Sequence, residues 1–369
     1  MSVLRLVILF LRRLRHEIGP SLGLATLVLV TAFVFALGPR LLTATADDAL
    51  RTTVAGYRAA DRNVELVEQT RICACDPANP LADAEAEGER LERTVPDHLR
   101  SAIVDRVMAI DSTRWSVIDP QHVQAVLTIR WEPRALDHVT FVAGGAPAAT
   151  SRTATIPAAG ELPAFSAPVV EAALVEESAK RLGVGVGDTL LLRPDPRDPL
   201  PRAAPVGAAV EIVGIYRVAN PDDAFWFDEP ALVRPTQRVY SSEVQFLDVF
   251  ALAAPAAYGP YFTATAASVT AFDRPTLDGL PIHYRWRLFV DPARLQAADV
   301  GQLQLDLRRL ESTLPASGLS DGGAVVLSVL PTILALEDAA WRSALAVVAV
   351  VATGPAVIAA AAFALVALL

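Results

Sequence analysis

Residues Ile18 to Gly38, IGPSLGLATLVLVTAFVFALG, form a run of 21 without a charged side chain. At about 1.5 Å of rise per residue, a helix of this length reaches roughly 31 Å, the thickness of a bilayer's hydrocarbon core. Lipid offers no partner for a free backbone group, so a single segment crosses it only as a helix. Pro20 suits the first turn, where a missing N–H costs nothing. Arg5, Arg12, Arg13 and Arg15 precede the run against Glu17 alone, whereas Arg40, Asp47 and Asp48 follow it. That asymmetry predicts a cytoplasmic N-terminus and a chain that is outside from residue 43. A cleaved signal peptide is the competing reading, because Ala44-Thr45-Ala46 resembles a cleavage site. Against it, the apolar stretch exceeds the usual signal core of about 7–15 residues.

Residues 2–15 place Leu4, Val7, Ile8, Leu11 and Leu14 at helical spacing, with Arg5, Arg12 and Arg15 toward the other side. They read as a helix lying on the inner leaflet, with a simple basic flank as the alternative. A second apolar block, SALAVVAVVATGPAVIAAAAFALVALL, runs uncharged from Ser343 to Leu369. Gly354-Pro355 predicts a kink there, and the small residues around it predict close packing on partner helices. A block that reaches the final residue uncharged is expected to continue, so the chain reads as a fragment lacking later spans. The expected organisation is an interfacial basic helix (1–17), a first transmembrane helix (18–42), an extracytoplasmic α+β domain (43–338) and a second transmembrane helix (339–369).

Charge fits this order. The net charge is −9, while residues 1–40 hold five Arg and one Glu and residues 341–369 hold only Arg342, which leaves −14 on the stretch between. An acidic domain is repelled by anionic headgroups and by nucleic acid. Thr43–Tyr57 and Val329–Arg342 continue with helical spacing and predict stalks that tie the domain to the two spans. Strands are expected at 63–72, 125–131, 189–193, 208–216 and 285–290. Helices are expected at 84–108 (broken near Pro96), 175–182 and 303–314, the last with Leu303, Leu307, Leu310 and Leu314 on one face. The Ala-, Gly- and Pro-rich 141–168 reads as a loop or joint between two small subdomains.

Motifs for chemistry are sparse. Gly183-x-Gly185-x-Gly187 lacks the preceding strand and following helix of a nucleotide loop and reads as a turn. No G-x-x-x-x-G-K-[ST], H-E-x-x-H or G-x-S-x-G occurs. His16, His98, His122, His138 and His283 are scattered and read as solvated. Cys73 and Cys75, the sole cysteines, allow a strained local disulfide, an intermolecular pair or a reduced loop. Asp222-Asp223 and Asp228-Glu229 flank Phe225-Trp226-Phe227, which reads as core packing, with a partner or lipid contact surface as the alternative. No catalytic, cofactor or metal residue is assigned, and no enzymatic activity or cofactor is expected.

One stretch is more specific: EAALVEESAKRLGVGVGDTLLL at 171–192, followed by VEIVGIYR at 210–217. It resembles the extracytoplasmic domain of FtsX/MacB-like permeases of ABC transporters, in which a short helix leads through a Gly-Asp turn into a strand and a second strand carries a Val-x-Gly-Ile pattern. The matching residues are Ala179, Leu182, Gly183, Gly187, Asp188, Val213, Gly214 and Ile215; Val213 directly precedes Gly214, so the second pattern matches loosely. PRLLTATADDALR after the first run and DPARL after WRLFV look like the actinobacterial-type branch of that family. Locally, Gly183 is expected to close a helix with positive φ and Gly187-Asp188 to turn into the strand. The resemblance implies a permease subunit in the cell membrane, working for export, lipoprotein release or activation of a wall enzyme. It implies as partners a cytoplasmic ABC ATPase, further permease spans or a second permease unit, the lipid bilayer and an extracytoplasmic partner or lipid or peptide substrate. The alternative is a transmembrane sensor with an extracytoplasmic ligand-binding domain.

Overall fold

A computed structural model describes residues 40–72, 80–118, 124–254, 280–314 and 323–368, with short gaps at 133, 151, 159–163, 196–206 and 242–243; Thr26 and Leu29 are described singly, and side chains of α8 only as far as 349. Among the described residues twelve strands build one mixed sheet in the order β12-β1-β11-β2-β3-β10-β6-β8-β4, with β5 on β6, β9 on β10, and β7 bonded to both β2 and β8. In chain order these are β1 (Val64–Ile72), β2 (Ile103–Ile118), β3 (Ala125–Trp131), β4 (Val139–Gly144), β5 (Thr153–Ile156), β6 (Phe165–Val175), β7 (Thr189–Pro194), β8 (Ala208–Val218), β9 (Thr236–Ser241), β10 (Val244–Ala253), β11 (Leu280–Val290) and β12 (Val325–Leu327). The helices are α1 (40–56), α2 (Ala59–Arg62), α3 (Pro80–Thr94), α4 (Asp97–Ala102), α5 (Glu176–Leu182), α6 (Pro230–Val233), α7 (Val300–Thr313) and α8 (Leu330–Leu368).

The topology corrects the expected fold class. β2 runs for 16 residues and serves two neighbourhoods. Its first half pairs with β11 from Ile103 to Asp111, extending the wing β11-β1-β12. Its second half pairs with β3 and, from Trp115 to Ile118, with β7. Since β7 also pairs with β8, the path β2-β3-β10-β6-β8-β7 closes on itself as a ring of six strands. A strand shared by ring and wing leaves no joint between two subdomains. Parallel pairs (β3 with β10, β6 with β8) stand among antiparallel ones, so the class is a mixed α/β, sheet-rich fold and not α+β.

The expected flanking transmembrane helices are corrected too: among the described residues no helix is long and apolar enough to cross a membrane. The charges described on these helices, Asp47, Asp48 and Arg51 of α1 and Glu337 and Asp338 of α8, fall in the stretches expected as stalks, with Arg40 and Arg342 at the edges of the expected spans. The expected basic helix at 1–17 and, apart from Thr26, Leu29 and residues 40–42, the expected span at 18–42 lie outside the described residues.

Period-two burial accounts for both faces of the sheet. Val170, Ala172 and Leu174 of β6 and Val249, Ala251 and Ala253 of β10 enter the larger core, with Trp115, Leu127, Ile129 and Trp286. Their alternates Ala173, Val175, Phe250 and Leu252 form a second core with Tyr216, Phe225, Trp226 and Leu232. Helix α7 buries Leu303, Leu307 and Leu310, and Leu314 is buried just past its end, the face read from the sequence; Val300 at its start is buried as well.

The resemblance segment folds as its local chemistry requires. Helix α5 ends at Gly183 with φ 69°; Gly183 N–H donates to Lys180 O at 3.3 Å and Val184 N–H to Ala179 O at 3.0 Å, the paired bonds of a left-handed C-terminal cap. In the Gly187-Asp188 turn, Gly187 N–H donates to Ile212 O at 2.8 Å and Asp188 accepts from Gly185 N–H at 2.7 Å, which seats the turn on β8. Gly214 lies where β4 crosses: a Cβ there would stand 2.2 Å from Gly145 O and 2.6 Å from the Phe141 ring.

Candidate functional site

Both terminal helices root on one corner of the sheet. Along α1, Ala46, Leu50 and Val54 are buried at four-residue spacing. Its polar side is fastened to the loop before α7: Asp47 Oδ1 accepts from Ala297 N–H at 2.8 Å and Arg51 Nε donates to Leu295 O at 3.0 Å. Arg62 reaches back to the Ala55 carbonyl at 2.9 Å, satisfying an acceptor at the end of α1. Helix α8 starts at Leu330, whose N–H donates to Ser328 Oγ at 3.1 Å; that hydroxyl donates to Asn63 O at 2.7 Å. Asn63 is 1% exposed, and its side-chain oxygen accepts from Val290 N–H at 2.8 Å. One buried asparagine therefore ties the end of α2, the end of β11 and the start of α8. Leu330, Ile333 and Leu334 bury against the domain, while Leu336, Leu345, Val347 and Val348 are exposed. Both helices line one cavity of about 210 Å³, with Ala49 and Leu50 of α1, Ala340 and Trp341 of α8, and Val300 in its wall.

The same corner connects to a buried lattice of charge. Asp228 Oδ2 accepts from Ala60 N–H of α2 at 2.8 Å. Its neighbour Glu229 accepts from Arg130 Nη1 at 2.5 Å and Arg287 Nη2 at 2.6 Å. Arg130 also forms a two-pronged bond to Asp111, at 2.5 and 2.7 Å. Arg287 continues to Glu65 at 3.0 Å and Glu132 at 2.9 Å, and Arg285 joins Asp111 at 2.9 Å to Glu65 at 3.0 Å. Four strands and the 225–233 segment are thereby pinned by three guanidinium groups, Arg130 and Arg285 each bonding two carboxylates and Arg287 three. Phe250 covers Arg130 and Phe227 covers Arg287, ring centres 4.6 and 5.0 Å away. Phe227 and Asp228 take positive φ of 54° and 52°, unusual for residues with side chains, and it is this bend that presents Asp228 to α2 and Glu229 to the lattice.

Burial and neighbours split the carboxyls. Burial pushes the Glu132 carboxyl above its ordinary range, against the pull of Arg287 and Arg130. For Glu229 burial acts in the same direction, but Arg130, Arg287 and Arg285 overcome it and hold the group well below that range. Tyr216 is pushed up by burial, and its hydroxyl donates to Leu232 O at 3.2 Å. Glu132 and Glu229 are bonded to the arginines and Tyr216 to Leu232 O, which holds the sheet to the 225–233 segment.

Among the described residues no group of three His, Cys, Asp or Glu is placed to hold a metal. Phe225, Trp226 and Phe227 are buried as core. Asp223 accepts from Phe225 N–H at 2.9 Å. The histidines part: His98 is exposed, 3.6 Å from Asp306; His138 is half-buried, stacked on Phe225 with ring centres 3.9 Å apart; His283 is half-buried in β11. His16, His122, Cys73 and Cys75 lie outside the described residues. The Gly183–Gly187 segment is a turn. Sequence reasoning missed Asn63 and the arginine lattice. The signal was present as charges two apart, Arg285 and Arg287 inside β11 and Arg130 near the end of β3 with Glu132 just past it, which alternation places on one face.

No protein-family model matches the sequence, and no curated protein matches it. Among solved structures, a domain of a "putative Permease protein" from Porphyromonas gingivalis is similar at 12% identity, over 73% of this chain and 90% of that one, with a TM-score of 0.26.

Proposed function

We propose that the chain is a permease subunit of an FtsX/MacB-type ABC transporter, and that its sheet domain is the extracytoplasmic part set in motion by a separate cytoplasmic ATPase. The observation that carries this reading is the common root of α1 and α8. Both helices leave from one corner, held by Asn63, Ser328, Asp47 and Arg51, and α2 hands that corner on to the charge lattice through Asp228. Relative movement of the two helices cannot be absorbed locally, because the strands behind them are cross-bonded; it moves the domain as a body. The 171–192 and 210–217 segments fold into the cap, turn and strand that the resemblance implies. In this reading the chain is no enzyme and supplies coupling and partner contact, for export, lipoprotein release or activation of a wall enzyme.

The test uses the full-length protein in membranes with cysteines at Ala49 and Ala340, which line the same cavity. An ABC ATPase should copurify, and oxidising the pair should stop its stimulated turnover, reversibly on reduction. Purification without any ATPase, or turnover indifferent to the cross-link, overturns the proposal.

A further inference from the structure

Away from the helix roots, α3 lies across the wing and leaves a second cavity, of about 350 Å³, against the sheet. Its floor is apolar: Trp286 and Leu288 of β11, Leu66 of β1 and Met108 of β2. The helix is held close over this floor. Trp286 Nε1 donates to Ala84 O at 3.3 Å, and a Cβ on Gly88 would stand 2.6 Å from the same nitrogen, so only glycine lets the backbone approach the indole. The gap beside that contact lies at the lower end of the range of about 300–1,000 Å³ for small-molecule sites.

The mouth is charged unevenly. Arg106 pairs with Glu92, and Arg134 pairs with Asp105 at 2.8 Å, so both cations at the rim already have counter-charges. Glu85 and Glu89, one turn apart on α3 and also lining the cavity, are exposed and have no ion pair among the described residues. An apolar floor with an aromatic plate beneath two uncompensated carboxylates complements one kind of molecule: an apolar body with a positive head. The domain's excess of acid raises the local concentration of such cations.

We infer that this cavity binds a small amphipathic ammonium compound, its alkyl or aryl part on Trp286, Leu66 and Leu288 and its charged head between Glu85 and Glu89. The inference does not depend on the transport reading, since it needs only the α3–wing packing.

The test is calorimetric titration of the full chain with octylammonium, octanol and octyl sulfate, which share one apolar body and differ in the head. Octylammonium should bind about tenfold or more tighter than either of the others, and the preference should shrink with salt. The variant Glu85→Gln/Glu89→Gln alters exposed positions only; it should melt like the parent, lose the preference for octylammonium and keep its affinity for octanol. Met108→Phe, which fills the floor, should weaken all three. Equal affinity for ammonium and sulfate heads, no binding of octylammonium, or unchanged affinity in the double variant overturns the inference.

Discussion

Arg287→Met is the sharpest probe of the lattice. Arg287 is 1% exposed and contacts Glu65, Glu132 and Glu229 at 3.0, 2.9 and 2.6 Å. Methionine fills much of the volume but removes the charge, leaving the fully buried Glu132 with Arg130 at 3.6 Å as its one ion-pair partner among the described residues. Breaking a buried pair from one side costs about 3–5 kcal/mol, because the remaining ion keeps its desolvation penalty. At about 2–4 °C per kcal/mol for a domain of this size, Tm should fall by roughly 10 °C. The sign of the pH dependence follows from Glu132. Its folded-state pKa already lies above the ordinary value of 4.5, through burial, and loss of Arg287 raises it further. The folded state then takes up a proton before the unfolded state does, so the deficit of the variant shrinks as pH falls through that raised value toward 4.5. Urea unfolding followed by tryptophan fluorescence at pH 7.5 and pH 5 measures both quantities, and Arg287→Met/Glu132→Gln should recover part of the loss. The reasoning fails if the single variant lies within about 1 kcal/mol of the parent at pH 7.5. It fails also if the deficit is the same at both pH values and unrelieved by Glu132→Gln.

Two further outcomes are expected. Gly214→Ala places a methyl group 2.2 Å from Gly145 O, so β4 must separate from β8; a loss of about 1–3 kcal/mol with faster hydrogen exchange of Val139–Gly144 is expected, and unchanged protection would refute the close approach. Glu176, bonded to Arg217 and to Lys180 at 2.8 Å, should titrate at about 2 by carboxyl NMR, and Arg217→Ala should bring it back toward 4.5. Because the folded pKa is the depressed one, the stability this group adds is present above 4.5 and is lost as pH falls toward 2.

Local rules that act within a few residues were legible in the chain. The α5–Gly183 cap, the Gly187-Asp188 turn, β3 at Ala125–Trp131 and the leucine face of α7 all follow from nearest-neighbour chemistry. The 84–108 stretch was misread in its last part because Ile103–Met108, which follows helix α4 directly, has no turn residue to announce the change; only pairing with β11 makes it strand. The same holds for β5 and the start of β6, read as loop: the Ala and Pro residues in and around them carry little strand preference and outweighed Thr153, Thr155 and Ile156 in the reading, and each becomes strand by pairing with the other.

Sequence alone determined where this chain bends, caps and alternates, since steric limits on φ and the period-two or 3.6-residue placement of side chains operate over a single turn or strand. Tertiary structure alone decided that a 16-residue β2 belongs to ring and wing at once, that Asn63 joins the end of β11 to the start of α8, and that arginines from β3 and β11 meet carboxylates from β1, β2, the residue after β3 and the 225–233 segment. The arginines and their carboxylates lie as far as 222 residues apart along the chain, and a charge becomes costly to leave unpaired only once the sheet has closed water out around it.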